Sequence, residues 1–139
     1  VRSAIHAAWG LNENRRFVEV FRETVSKLSG RTLANNAYAV ALNKMVINHA
    51  DTARTPVAVR AIATDERAKQ QSPLFRPPPA FSVRDGSNVW IRTFRLKDGT
   101  IRQLTADVMH EAAHLVGAPS DELAEFALEK LHNTAGLPR

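Results

Sequence analysis

The 139 residues include no cysteine, which excludes disulfides and every thiolate metal site together. Any metal must therefore be held by histidines and carboxylates. Long apolar runs are missing too. None approaches the ~20 residues that cross a bilayer, so no membrane span is expected. The opening Val1-Arg2-Ser3-Ala4 has neither a methionine nor a basic stretch leading into an apolar one. The expectation is a piece of a longer protein, with no signal peptide in this sequence. Internal repeats and low-complexity tracts are absent as well.

What is present has the composition of one globular domain, 44% hydrophobic and 24% charged, at a length that suits a single core over 1–139. The net charge of +5 is uneven. Residues 1–104 carry 17 Lys/Arg against 8 Asp/Glu, whereas residues 105–139 carry 2 against 6. Scattered basic residues of this kind read as a solubilising surface, and nucleic-acid binding is not expected.

Helical patterns fill about 14–70. From Asn14, Phe17, Val18, Phe21, Val25 and Leu28 recur at three- and four-residue spacing, and Gly30 stands where a left-handed cap belongs. Thr32 can cap a second helix through Leu33, Ala37, Val40, Ala41, Met45 and Ile47, closed by Asp51 and expected to be well buried. Thr55-Pro56 starts a third, with Val57, Val59, Ala61 and Ile62 on its apolar positions, fading near Gln70. The prolines at 73, 77, 78 and 79 make 72–81 an extended surface loop. After the turn Asp85-Gly86, the alternation from Asn88 predicts a strand. Lys97-Asp98-Gly99 predicts a hairpin into Thr100–Gln103, giving a small antiparallel sheet over about 88–103. His6, His49 and His132 lack partners at ligand spacing and read as surface or helix-end residues. Tyr38 reads as core with its hydroxyl at the edge, and Trp9 and Trp90 as structural.

The acidic end carries the chemistry. Thr105 is a good N-cap, Asp107 favours the positive end of the helix dipole, and Leu104 can pack on Met109, so a helix is predicted from Ala106 to the stop at Gly117 and Pro119. His110 and His114 lie one turn apart on it, and two imidazoles so placed can reach one zinc ion. Glu111 beside them can take a proton from a water and return it to a leaving amine. Ser120 can cap a further helix, with Asp121, Glu122, Glu125 and Glu129, folded back beside the first; metal-site helices thus occupy 105–133.

The segment His110-Glu111-Ala112-Ala113-His114 with its bounded helix, across roughly Asn88 to Leu131, resembles the HExxH zinc metallopeptidases of the zincin superfamily. The resemblance implies Zn2+ held by His110 and His114, Glu111 as general base, and hydrolysis of a peptide bond. The metzincin branch would need a third histidine where this chain has Ser120. The gluzincin plan, with a glutamate from the following helix, is more similar, although the spacing here is shorter than in thermolysin-like enzymes. Glu125, flanked by the expected core residues Ala124, Phe126 and Leu128, is the preferred third ligand, with Asp121 and Glu122 left open. The competing reading makes Glu122, Glu125 and Glu129 a solvated helix face. The expected whole is an α+β domain, mainly helical and zincin-like, resembling the catalytic end of a larger secreted or delivered effector or toxin. The rival is a non-catalytic basic binding module with a structural or absent metal.

Overall fold

The computed structural model describes residues 1–50, 54–61, 78–120 and 122–137, with 122 and 123 described by backbone alone. Helix α1 (Arg2–Gly10) runs through a 3-10 turn (Leu11–Glu13) into α2 (Arg15–Ser29). Asn14 starts α2 by accepting the Phe17 amide at 3.0 Å. Its apolar stripe, Phe17, Val20, Phe21 and Val25, is buried, and Gly30 ends it at φ +70°, the left-handed cap that a side chain would strain.

The helix expected from Thr32 to Asp51 is two elements. Helix α3 covers Ala37–Lys44, and strand β1 covers Val46–Ala50. The β-branched pair Val46-Ile47 suits the pleated strand, and pairing with a distant segment overrides the helical spacing. Val40 is 46% exposed rather than buried. Asp51 lies outside the described residues. Residues 57–61 are helical after Thr55-Pro56, with Val59 buried and Val57 exposed; the remainder of that expected helix and the loop from 72 to 77 are outside the described residues.

Strands β2 (Ala80–Ser82) and β3 (Asn88–Arg92) complete a sheet of order β1-β3-β2. Strand β1 pairs parallel with β3, and β2 antiparallel with it. The sheet is thus mixed, not antiparallel. Ala80 and Phe81, assigned to the proline loop, belong to a strand. Asp85 takes φ +60° in the predicted turn, a conformation its short polar side chain tolerates.

Helices α4 (Thr93–Asp98), α5 (Ile101–Leu115) and α6 (Glu122–Ala135) follow. The expected hairpin at Lys97-Asp98-Gly99 and the strand Thr100–Gln103 are not formed. Thr100 instead caps α5 in a reciprocal box: its hydroxyl accepts the Gln103 amide at 3.1 Å, and the Gln103 side chain accepts the Thr100 amide at 2.9 Å. Helix α5 therefore begins a turn before Ala106. Thr105 is no cap; it is buried within the helix and donates to the Ile101 carbonyl at 2.7 Å.

These elements form an α+β domain. One core cluster joins α2, α3, α5 and α6 through Phe17, Phe21, Tyr38, Met109, Leu128 and Leu131. Another seats the sheet on α1 and α5 through Ala4, Val89, Ile91, Leu104 and Leu115. Tyr38 departs from expectation because its hydroxyl is enclosed and donates to the Ala8 carbonyl at 2.9 Å, and burial pushes its pKa well above normal. Tyr38→Phe removes this buried bond and leaves the Ala8 carbonyl with the Leu11 amide as donor. It is expected to cost about 1–2 kcal/mol, measured as a lowered midpoint in urea at unchanged slope.

Candidate metal centre

Helix α5 is pinned at its C-terminal end, where the last carbonyls lack helical partners. Lys44 Nζ donates to the Leu115 carbonyl at 2.6 Å and Arg31 Nη2 to the Val116 carbonyl at 2.9 Å. Both cations also face the negative end of the helix dipole. Arg31 pairs in addition with Asp85, whose amide donates to the His114 carbonyl at 3.1 Å. Gly117 then turns the chain at φ +113°. A Cβ there would lie 2.2 Å from Arg31 Nη2 and 2.8 Å from Ser29 Cβ, so the close packing of this clamp requires glycine.

The turn brings Ala118 back under His114, whose Nδ1 lies 2.7 Å from the Ala118 carbonyl oxygen. A carbonyl only accepts, so Nδ1 carries a proton, and in the neutral ring the lone pair is on Nε2. This is the orientation a metal-ligating histidine requires. His114 is buried, and its ring centre lies 4.8 Å from that of His110. Ligand atoms of His110, Glu111 and His114 all fall within 4.8 Å of one another.

Helix α6 supplies Glu125, whose Oε1 is 3.4 Å from His110 Nε2. This is an ion-pair contact with His110; among the described residues the group whose ligand atoms all lie within 4.8 Å of one another is His110, Glu111 and His114, and Glu125 is not part of it. Burial opposes charge on His110, but the hydrogen bond with Glu125 and the charges of Glu125, Glu111 and Asp107 outweigh it, raising its pKa to about 9. The Glu125 side chain is 54% exposed, as a solvated helix face would be; its partial desolvation is outweighed by the same hydrogen bond and by the charges of His110, His114 and His132, and the pKa falls. Asp121 lies outside the described residues, and the Glu122 side chain is not described.

Glu111 is 4% exposed and its Oε2 accepts from Ser82 Oγ of β2 at 2.5 Å. Burial raises its pKa, against the opposing charge of His110 and the Ser82 hydrogen bond. A raised carboxylate in a cleft has the properties a proton-transfer group needs.

Comparison of the chain with protein-family models, curated proteins and solved structures gives no match. The reading of the site therefore rests on its own geometry.

All these groups open on a cavity of about 490 Å3, walled by Pro78–Ser82, by Arg95 of α4, by Asp107, His110, Glu111 and His114 of α5, and by Glu125, Phe126, Leu128, Glu129 and His132 of α6. Three positions differ from expectation. His132 is not a surface residue: it is 7% exposed, with its ring 5.7 Å from and nearly perpendicular to that of His110. Its spacing of seven from Glu125 places both on one stripe of α6, a signal available in the sequence but hidden by distance from the motif. Phe126 is 75% exposed at the cavity rim rather than core, because Ala124, Leu128 and Leu131 already fill the buried face. Asp107 sits mid-helix rather than at the N-terminus. It lies 3.0 Å from Arg95 Nε, and burial, only partly offset by Arg95, raises its pKa to about 6. His49 lies apart from the cavity, on the exposed side of β1, where Nε2 is 2.8 Å from Thr93 Oγ1; His6 is exposed on α1.

Proposed function

We propose that this chain is a zinc-dependent hydrolase, a metallopeptidase of gluzincin-like plan, with His110, His114 and Glu125 holding the ion and Glu111 acting as general base. The observation that carries the reading is the fixed tautomer of His114, set by the Ala118 carbonyl. It leaves His114 Nε2 as the ring nitrogen available to an ion, in a group whose ligand atoms on His110, Glu111 and His114 lie within 4.8 Å of one another. When bound, zinc would polarise a carbonyl and lower the pKa of water. The chain's own groups do the rest. Ser82 engages Glu111 Oε2, leaving Oε1 to take a proton from the attacking water and pass it to the leaving amine.

The first test is metal content by elemental mass spectrometry, wild type beside His114→Ala. About one zinc per chain, lost in the variant, is the expected result. Wild-type protein that neither holds nor takes up zinc would end the reading. Proton release offers a second check. With its pKa raised to about 9, His110 is protonated in the metal-free protein at pH 7 to 8, and a cation can bind only the neutral ring. Uptake is expected to release about one proton from His110 at pH 7.5, and zinc affinity to fall roughly tenfold per pH unit below 9. Calorimetry in buffers of different ionisation enthalpy measures the release; an uptake independent of buffer contradicts it.

A structural metal is the second reading, favoured by one observation: buried His132 stands near enough to His110 to act as a fourth ligand. Closed four-residue coordination would leave no place for water. In that case His132→Ala lowers zinc affinity as much as His114→Ala does, and Glu111→Gln changes no activity.

A further inference from the structure

Among the described residues lining the cavity, Arg95 is the only arginine or lysine, and the lining includes several carboxylates. Arg95 approaches from α4, on a side the HExxH segment does not supply. The fold makes room for it: a Cβ on Gly99 would lie 2.7 Å from Arg95 Cδ and 2.3 Å from the Arg95 carbonyl oxygen. Asp107 lies 3.0 Å from Nε, yet neither Arg95 Nε nor Asp107 Oδ2 has an aligned hydrogen bond, although both atoms are fully buried. The pair thus balances charge without engaging the guanidinium in directed bonds. The Arg95 side chain retains 17% exposure while Nε is buried, so that exposure lies on the remainder of the side chain. Among the described residues no hydrogen bond to its Nη groups is formed. A guanidinium with free Nη donors, in a partly apolar cleft, is the group that binds carboxylates in a two-pronged contact.

Building on the hydrolase reading, we propose that Arg95 is the specificity-determining residue of the cavity and that it anchors a carboxylate of the peptide substrate. The carboxylate is either a chain terminus or an acidic side chain, which offer the same planar pair of oxygens. A cavity of about 490 Å3 has the capacity of an ordinary small-ligand site, which suits a short peptide segment held at one charged end. Asp107 keeps the guanidinium charge balanced until that segment enters.

The test is a nuclear magnetic resonance titration of wild-type protein, zinc-loaded and metal-free, with three probes: acetyl-Ala-Ala-Ala, its C-terminal amide, and acetyl-Ala-Asp-Ala amide. The expected result is binding of at least one carboxylate probe about tenfold to a hundredfold more tightly than the neutral amide. Which of the two acids leads identifies the source of the carboxylate. Arg95→Gln removes the preference. Because that change leaves Asp107 buried and unpaired, the double variant Arg95→Gln/Asp107→Asn is measured beside it as a neutral pair, and the same loss is expected. Equal affinity for acid and amide, no detectable binding of any probe, or a preference that survives in the double variant would overturn the proposal. The metal-free arm keeps this result separate from the hydrolase reading, which fails instead if zinc is never bound.

Discussion

In the proposed hydrolase, Glu111→Gln is expected to lower kcat by about 10²- to 10⁴-fold, the range associated with loss of a general base, with zinc content staying near one per chain. The amide is almost isosteric with the carboxylate, and its oxygen can still accept from Ser82 Oγ, so the wall between β2 and α5 keeps its contact. What it lacks is the capacity to take a proton. Stability moves the other way or stays level. A buried carboxylate whose folded pKa is raised favours the folded state below its unfolded pKa and loses that contribution as pH rises through the folded value. Replacing it by a neutral amide is therefore expected to leave Tm at pH 7 unchanged or raised. Steady-state kinetics beside metal analysis and thermal melting decide the matter. Full activity in a zinc-loaded Glu111→Gln protein would remove Glu111 from the chemistry.

Gly117→Ala carries the largest expected loss of stability, about 2–4 kcal/mol, or roughly 6–16 °C in Tm. Two causes combine. A backbone at φ +113° is essentially reserved for glycine, and the new methyl would lie 2.2 Å from Arg31 Nη2. Arg31 would have to leave the Val116 carbonyl and Asp85, exposing the end of α5 that carries His114. The same displacement shifts Ala118, whose carbonyl fixes the His114 tautomer. Zinc affinity is expected to fall along with Tm, by about 10- to 100-fold. A variant that melts early but binds zinc with wild-type affinity would show that the turn supports the fold and not the site.

The α+β class, the amphipathic α2 and the His110-Glu111-His114 cluster were legible because each is a local pattern. A three-to-four-residue stripe, a left-handed glycine cap and one helical turn between two imidazoles all act within a few residues. Strand β1 was not, because five residues following a helix continue its apolar spacing until a partner 42 positions away claims them. Thr100 and Gln103 did carry the capping-box signature, but the preceding Lys97-Asp98-Gly99 imitates a hairpin turn. Arg95 reaches the cavity only through tertiary packing, which no spacing within its own helix reveals, whereas the stripe that His132 shares with Glu125 gains meaning only once α6 is packed against α5. The acidity of the last segment was correctly noticed, whereas its distribution around one cavity emerges only from the folded arrangement.

The order of the cavity walls along the chain has a consequence for biosynthesis. Synthesis runs from the N-terminus, and helix α5 with both motif histidines leaves the ribosome before α6. Until α6 arrives, Met109 and Ala112 lack the Leu128 and Leu131 cover that completes their core, and His110 lacks Glu125. A nascent chain thus presents the two imidazoles on a half-covered helix, before Glu125 can reach His110. On the proposed metal reading the three ligands come together only once α6 docks on α5, so a variant that weakens this docking is expected to lower metal affinity together with stability.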